Sequence, residues 1–206
     1  MASKTDFNVS PYYDDYDEAK KFHRVMYRPA YAVQARELTT QQSITQNQIE
    51  KFGDHMFKHG AMVVPGQVEP DMHYNAVKLT SFNGTLANYN GNTLTGGTSG
   101  VVADVVNVVA TDGTDPDTLF VKYRNSGTDN ASNTFTDGET LTSGHSSAST
   151  AVCSSTAQGA AVKIEAGTYY INGFFVGVDE QTLILDKYTN TPSYRVGLTI
   201  SETFVT

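Results

Sequence analysis

Apolar residues between positions 31 and 60 recur at steps of three and four, whereas beyond residue 60 they tend to alternate singly. The first pattern predicts one helix from Tyr31 to Lys58, stopped by Gly60 and about 40 Å long at 1.5 Å per residue. Its seam reads Ala35, Leu38, Gln42, Thr45, Ile49, Phe52 and Met56, apolar at both ends and polar in the middle. Polar residues at such positions lower the stability of a helical assembly but fix its register and copy number. Gly53 weakens the last turns by about 1 kcal/mol relative to alanine. Ahead of the helix, "FHRVMYRP" is rich in β-formers and ends on Pro29, which predicts a short strand or an extended lead-in.

The second pattern predicts strands. "KLTSFNGTL" and "TYYINGFFVGV" each set Asn-Gly between β-rich flanks, the signature of a hairpin turn. In the second, Asn172-Gly173 joins Thr168–Ile171 to Phe174–Val178. "VVADVVNVVA" and "TLFVKYRN" form two more strands around the turn-rich "TDGTDPD", and "TLILDKYT" and "SYRVGLTISETFVT" add others. Pro65 and Pro70 mark "AMVVPGQVEP" as an edge or linker. No helix of useful length is expected after Gly60. The segment 125–158 is biased to Ser, Thr, Gly and Asn, and its alternation in "NTFTDGETLTSG" fits a decorated hairpin.

These elements predict a mainly β chain with one long N-terminal helix: an extended arm (1–30), the helix (31–60), then a β region (61–206). The β region is expected to be an antiparallel sandwich or small barrel, with 83–158 as an inserted β/loop subdomain.

Charge sharpens the reading of the helix. No charged residue lies between Glu37 and Glu50, and Gln34, Gln41, Gln42, Gln46 and Gln48 fill its surface with Thr and Ser. Such groups hydrogen-bond without the several-kcal/mol penalty of burying an ion, so this face suits contact with other protein. Residues 1–60 carry eight Lys/Arg and eight Asp/Glu, and residues 61–206 carry six and fourteen. A chain of net charge −8 without a basic stripe is not expected to bind nucleic acid. No apolar run is long enough to enter a membrane, and the N-terminus has no apolar signal core.

Candidate chemistry is sparse. The acidic run Asp14, Asp15, Asp17, Glu18 lies in an arm that gives no rigid cleft for paired carboxylates. His55 and His59 have helical metal-ligand spacing, but Met56 stands where the H-E-x-x-H motif needs glutamate. Asp112, Asp115 and Asp117 share a loop that lacks EF-hand spacing, and Asp-Gly and Asp-Pro are ordinary turn residues. Cys153, the single cysteine, reads as a small buried or loop residue. No catalytic, cofactor-binding or metal residue is expected, and no enzyme activity. The arm residues Tyr12, Tyr13, Asp14, Asp15 and Tyr16 offer stiff contact area for docking. Leu38, Gln42, Thr45, Ile49, Phe52 and Met56 are the expected oligomerisation positions.

Two stretches, Ser10–Gly66 and Gly167–Glu202, carry a resemblance through "RPAYAVQAREL" and "YTNTPSYRVG". They resemble virion structural proteins of contractile-tailed phages, particularly T-even-like phages of cyanobacteria, an uncharacterised tail or baseplate family. The resemblance implies a tail-fibre or baseplate adaptor, made in the host cytoplasm and residing in the virion. It implies a homo-oligomer, with a trimer favoured, and other baseplate or tail proteins as partners. Members are longer and continue into fibre-like domains, so the chain is expected to be the N-terminal part of a longer product. The alternative is a carbohydrate-binding module that reads a host-surface glycan through the loops of 83–158.

Overall fold

A computed structural model describes residues 7–203. The chain divides into two compact units, residues 1–67 with 164–181 and residues 68–163 with 182–206. The division does not follow the expected insertion at 83–158. One strand runs unbroken from Ala148 to Ile164 across the expected boundary at 158, and it shares a sheet with the strand Val68–Phe82, which ends at the other boundary. The architecture is mainly β with one long helix, as the alternation predicts.

In the second unit, seven strands form one sheet. They are β2 (Val68–Phe82), β3 (Thr93–Gly96), β4 (Val102–Val109), β5 (Thr118–Asn125), β6 (Thr140–His145), β7 (Ala148–Ile164) and β10 (Gln181–Asp186). Their order is β10-β7-β2-β5-β4-β3-β6, and β6 also pairs with β7, which closes six strands into a small barrel. Registers such as Val77↔Leu119 and Val105↔Val121 put Val77, Leu79, Val105, Leu119 and Val121 on one side. There they join Tyr89, Leu94, Leu141, Ala151 and Cys153 in one buried cluster. The small residues of β7 account for the Ser and Thr at the end of the biased segment 125–158, because the interior of a narrow barrel has room for large side chains from only some strands. Alternate residues Tyr74, Ala76, Phe120 and Ala161 form a second cluster covered by Ile184 and Tyr188, with Tyr74 and Phe120 stacked at 4.7 Å.

Two sequence expectations fail here. Asn83-Gly84 closes no hairpin. The Asn83 N–H donates to Thr150 O, its Oδ1 accepts from Thr150 N–H, and its Nδ2 donates to Ser149 Oγ. These bonds hold the end of β2 to β7, and the chain then enters a 3-10 turn at Leu86–Tyr89. "SYRVGLTI" is not a strand either, since residues 191–203 run without a sheet partner. Residues 204–206 of that stretch lie outside the described residues.

The first unit contains the helix α1 (Ala35–Met56) and a three-stranded sheet. The strands are β1 (Met62–Val64), β8 (Gly167–Ile171) and β9 (Phe174–Val178), in the order β1-β8-β9. Asn172 and Gly173, at φ 47° and 85°, make the expected tight hairpin turn. α1 is shorter than expected at both ends. Ala30 adopts φ 66°, so Arg28–Tyr31 forms a turn, and the helix starts where Gln34 N–H donates to Glu37 Oε2 at 2.8 Å. At the other end Gly60 N–H donates to Tyr170 O at 2.8 Å and Tyr170 N–H to Ala61 O at 2.9 Å, which draws the chain off toward β1. No strand forms over "FHRVMYRP", which runs as an irregular lead-in.

Candidate assembly surface

α1 shows one face to its own unit and leaves the other open. Ile44, Asn47 and Gly53 are the buried residues. A Cβ on Gly53 would lie 2.4 Å from the ring of Tyr170, so the glycine permits a close crossing of helix and sheet. Tyr170 is fully buried, with its hydroxyl 2.9 Å from Glu50 O and 2.8 Å from Asp54 Oδ1. Burial, then the hydrogen bond to Asp54, push its pKa up to about 12. Phe57 and Phe175 complete an aromatic cluster with Tyr170, at centroid separations of 5.4 to 5.9 Å. Gln46 Nε2 also donates to Gly173 O at 2.8 Å, tying helix to hairpin turn.

The arm occupies a neighbouring strip of the helix. Tyr12 O lies 3.2 Å from Thr39 Oγ1, Asp15 N–H donates to Thr40 Oγ1, and Val25 N–H donates to Gln41 Oε1. Ser43 Oγ donates to Asp14, whose other oxygen accepts from Tyr16 N–H at 3.1 Å. Lys51 and Glu18 form an ion pair at 2.6 Å. Several uncharged helix groups therefore bond the protein's own arm, which corrects the expectation that the whole face is an assembly surface. Asp14 is buried, so it is not free to dock elsewhere, and Tyr16 is half-buried. Tyr12, Tyr13 and Asp15 remain exposed. Residues 1–6 of the expected arm lie outside the described residues.

The remaining strip is the expected seam. Leu38, Ile49, Phe52 and Met56 are 52, 41, 66 and 60 % exposed, and Gln42 and Thr45 are exposed between them. Covering the exposed parts of these four side chains is worth about 4 kcal/mol in each copy, or about 9 kcal/mol for a pair, taking about 2 kcal/mol per fully buried apolar side chain. That falls inside the range of about 4–15 kcal/mol that association costs. The seam alone therefore leaves little surplus, and further contact area strengthens the assembly.

Residues 10–133 match a family model described as Domain of unknown function (DUF4815). The chain belongs to that family. The DUF4815 match takes in most of the arm, all of α1, and the barrel as far as the loop after β5, and it ends before Gly167–Glu202. No curated protein and no solved structure matches the chain.

Other candidates resolve into structural chemistry. Lys187 Nζ lies 2.9 Å from Asp112 Oδ2 and 2.7 Å from Asp115 Oδ2, so an ammonium group holds the place between the loop carboxylates. Asp112 Oδ1 accepts from the N–H groups of Thr114 and Asp115, and Asp117 Oδ1 accepts from Thr111 N–H. His59 Nδ1 accepts from Asn172 N–H at 3.3 Å. Among the described residues no three metal-ligating side chains cluster, and no helix is long and apolar enough to cross a membrane. Cys153 is buried in β7, where burial pushes its thiol pKa up to about 12.

Sequence reasoning missed two arrangements. One is the Phe57–Tyr170–Phe175 cluster, for which Gly53 in the last turn of the helix was the available signal. The other is Glu139, which comes two residues after Asp137 in a Ser/Thr/Gly-rich stretch. Its carboxylate is buried and accepts four hydrogen bonds, from Thr98 N–H, Ser99 N–H, Ser99 Oγ and Thr136 N–H, at 2.7 to 2.9 Å. Burial acts to raise its pKa, but the four donors outweigh it and hold the carboxyl below the usual range.

Proposed function

We propose that this DUF4815 chain is a structural component of a contractile phage tail, a fibre or baseplate adaptor that works as a homo-oligomer, with a trimer as the favoured state. The observation that carries the reading is the open seam of α1. One face of the helix is held by the hairpin and the arm, while Leu38, Ile49, Phe52 and Met56 face outward at coiled-coil spacing. The resemblance of Ser10–Gly66 and Gly167–Glu202 to tail and baseplate proteins supports the same role, as do the exposed Tyr12 and Tyr13 beside the helix. In this reading the seam joins copies, the arm tyrosines meet another baseplate or tail protein, and the barrel acts as a spacer.

The test is immunogold electron microscopy of intact particles, with an epitope inserted at Gly113, where a side chain would meet open space. Label at the baseplate or fibre base is the expected result. Particles that carry no label, from a lysate in which the tagged chain is abundant, would overturn the virion assignment.

A further inference from the structure

We infer that residues 194–200 are a strand that pairs with the open edge of β9 in a second copy of this chain. The segment Tyr194–Ile200 alternates strictly, with Tyr194, Val196, Leu198 and Ile200 on one side and Arg195, Gly197 and Thr199 on the other. All four apolar residues are exposed, and among the described residues no backbone hydrogen bond is formed over 191–203. A one-sided apolar strand with free backbone groups has an energetic need for an edge to pair with, because pairing satisfies its backbone and burying one face covers its apolar side chains.

β9 presents such an edge. It pairs only with β8, and Phe174–Val178 contains no charge and no proline, the two devices that ordinarily block an edge strand. The other edge of that sheet, β1, is interrupted by a register shift between Met62 and Val64 and ends at Pro65. In a hairpin closed by a two-residue turn, Ile171 and Phe174 form the hydrogen-bonded pair, so Phe175 and Gly177 direct their N–H and C=O groups away from β8. A Cβ on Gly177 would meet nothing within 4 Å, so the edge is open.

The faces also match. Phe175 lies with Tyr170 and Phe57 on the helix side, while Phe174 and Val176, paired with Ile171 and Tyr169, line the opposite side. A strand laid against β9 with its apolar residues on that opposite side extends an existing apolar face, and its polar residues fall on the other. The segment makes no such pairing with β9 of its own chain, and every further copy carries the same open edge, so the partner is assigned to a second copy. Contacts of this head-to-tail kind close into a ring or run on as a filament. They also add the contact area that the seam of α1 lacks.

Mixed single-cysteine variants test the inference, with native Cys153 too buried to react. Val176→Cys mixed with Val196→Cys or Leu198→Cys should give a disulfide-linked heterodimer under mild oxidation. The same mixture with Thr199→Cys, on the other side of the strand, should give at least tenfold less. Gly197→Pro added to the tail variant should abolish the product, because a paired strand needs that position and the free segment loses no hydrogen bond there. Ile49→Asp should leave the product intact, so failure of the helix seam and failure of strand pairing give different results. Absence of the heterodimer overturns the proposal. So does equal linking at positions 198 and 199, or a double variant Val176→Cys/Val196→Cys that links only within a single chain.

Discussion

Replacing Glu139 removes the acceptor that ties the loop at 98–99 to the turn at 136–139. Oε2 accepts from Thr98 and Ser99 N–H at 2.8 and 2.9 Å, and Oε1 accepts from Ser99 Oγ and Thr136 N–H at 2.8 and 2.7 Å. Glu139→Ala strands the buried N–H and hydroxyl of Ser99 and the part-buried N–H groups of Thr98 and Thr136. At about 1–3 kcal/mol for each buried donor left unsatisfied, and with water entering the space to relieve part of it, the cost should be about 4 kcal/mol. Glu139→Gln keeps the shape. Its amide oxygen best stays at the Oε2 position, and its NH2 then faces the Ser99 hydroxyl, which turns to accept, and the Thr136 N–H, which has no such freedom. One orphaned donor and the lost charge put that variant at about 2 kcal/mol. Ser99→Ala leaves three donors on Glu139 but removes the acceptor of the buried Val101 N–H, which donates to Ser99 Oγ at 3.2 Å, and should cost about 2 kcal/mol. At about 3 °C per kcal/mol for a chain of this size, the melting temperature should fall by about 12 °C for Glu139→Ala and by about 6 °C for each of Glu139→Gln and Ser99→Ala. Circular dichroism on heating at pH 7 reads this directly.

The pH dependence follows with a fixed sign. The folded carboxyl has a pKa below its ordinary value of 4.5, so its contribution is fully present above about pH 4.5 and is lost as pH falls through the lower folded pKa. Wild type and Glu139→Gln should therefore converge at low pH and differ most near neutrality. If Glu139→Ala melts within 1 °C of wild type, or above Ser99→Ala, the account of this site is wrong.

Gly53→Ala should lower stability by about 2 kcal/mol despite the better helix former, because the added carbon meets the Tyr170 ring at 2.4 Å; adding Tyr170→Leu should recover part of the loss in urea unfolding. Tyr170→Phe should cost about 1 kcal/mol by the same assay, for the lost contact with Glu50 O and Asp54 Oδ1. The raised Tyr170 pKa means that its phenol stabilises the fold fully below about pH 10 and loses that effect as pH rises through about 12, so alkaline unfolding should be shallower in Tyr170→Phe. Millimolar calcium should leave the melting temperature unchanged, since Lys187 bridges Asp112 and Asp115; a rise of several degrees would contradict that ion-pair assignment.

Periodicity carried much of this structure. The helix, the hairpin at Asn172-Gly173, the strands around "TDGTDPD" and the buried Cys153 all follow from spacing and turn chemistry that act over a few residues. The same local rules misread Asn83-Gly84, because the side chain of Asn83 bonds to Ser149 and Thr150, distant in sequence, and those bonds override the turn preference. They also misread "SYRVGLTI", whose alternation is that of a strand but which joins neither sheet of the chain. Closure of the barrel through β6 and β7 was not legible, since a pairing between strands shows in one sequence only as two apolar faces. The uncharged strip of α1 was read as an assembly surface, whereas Thr39, Thr40, Gln41 and Ser43 on it bond the protein's own arm. A polar face announces burial without saying by which chain.

The most direct test of the central claim is the mass of the purified full chain in solution, by native mass spectrometry or light scattering across a concentration series. A homo-oligomer, three copies in the favoured case, is the expected state, and Ile49→Asp with Phe52→Asp should reduce it without loss of helix signal. A wild-type chain that stays at 22.4 kDa at every concentration would contradict the account.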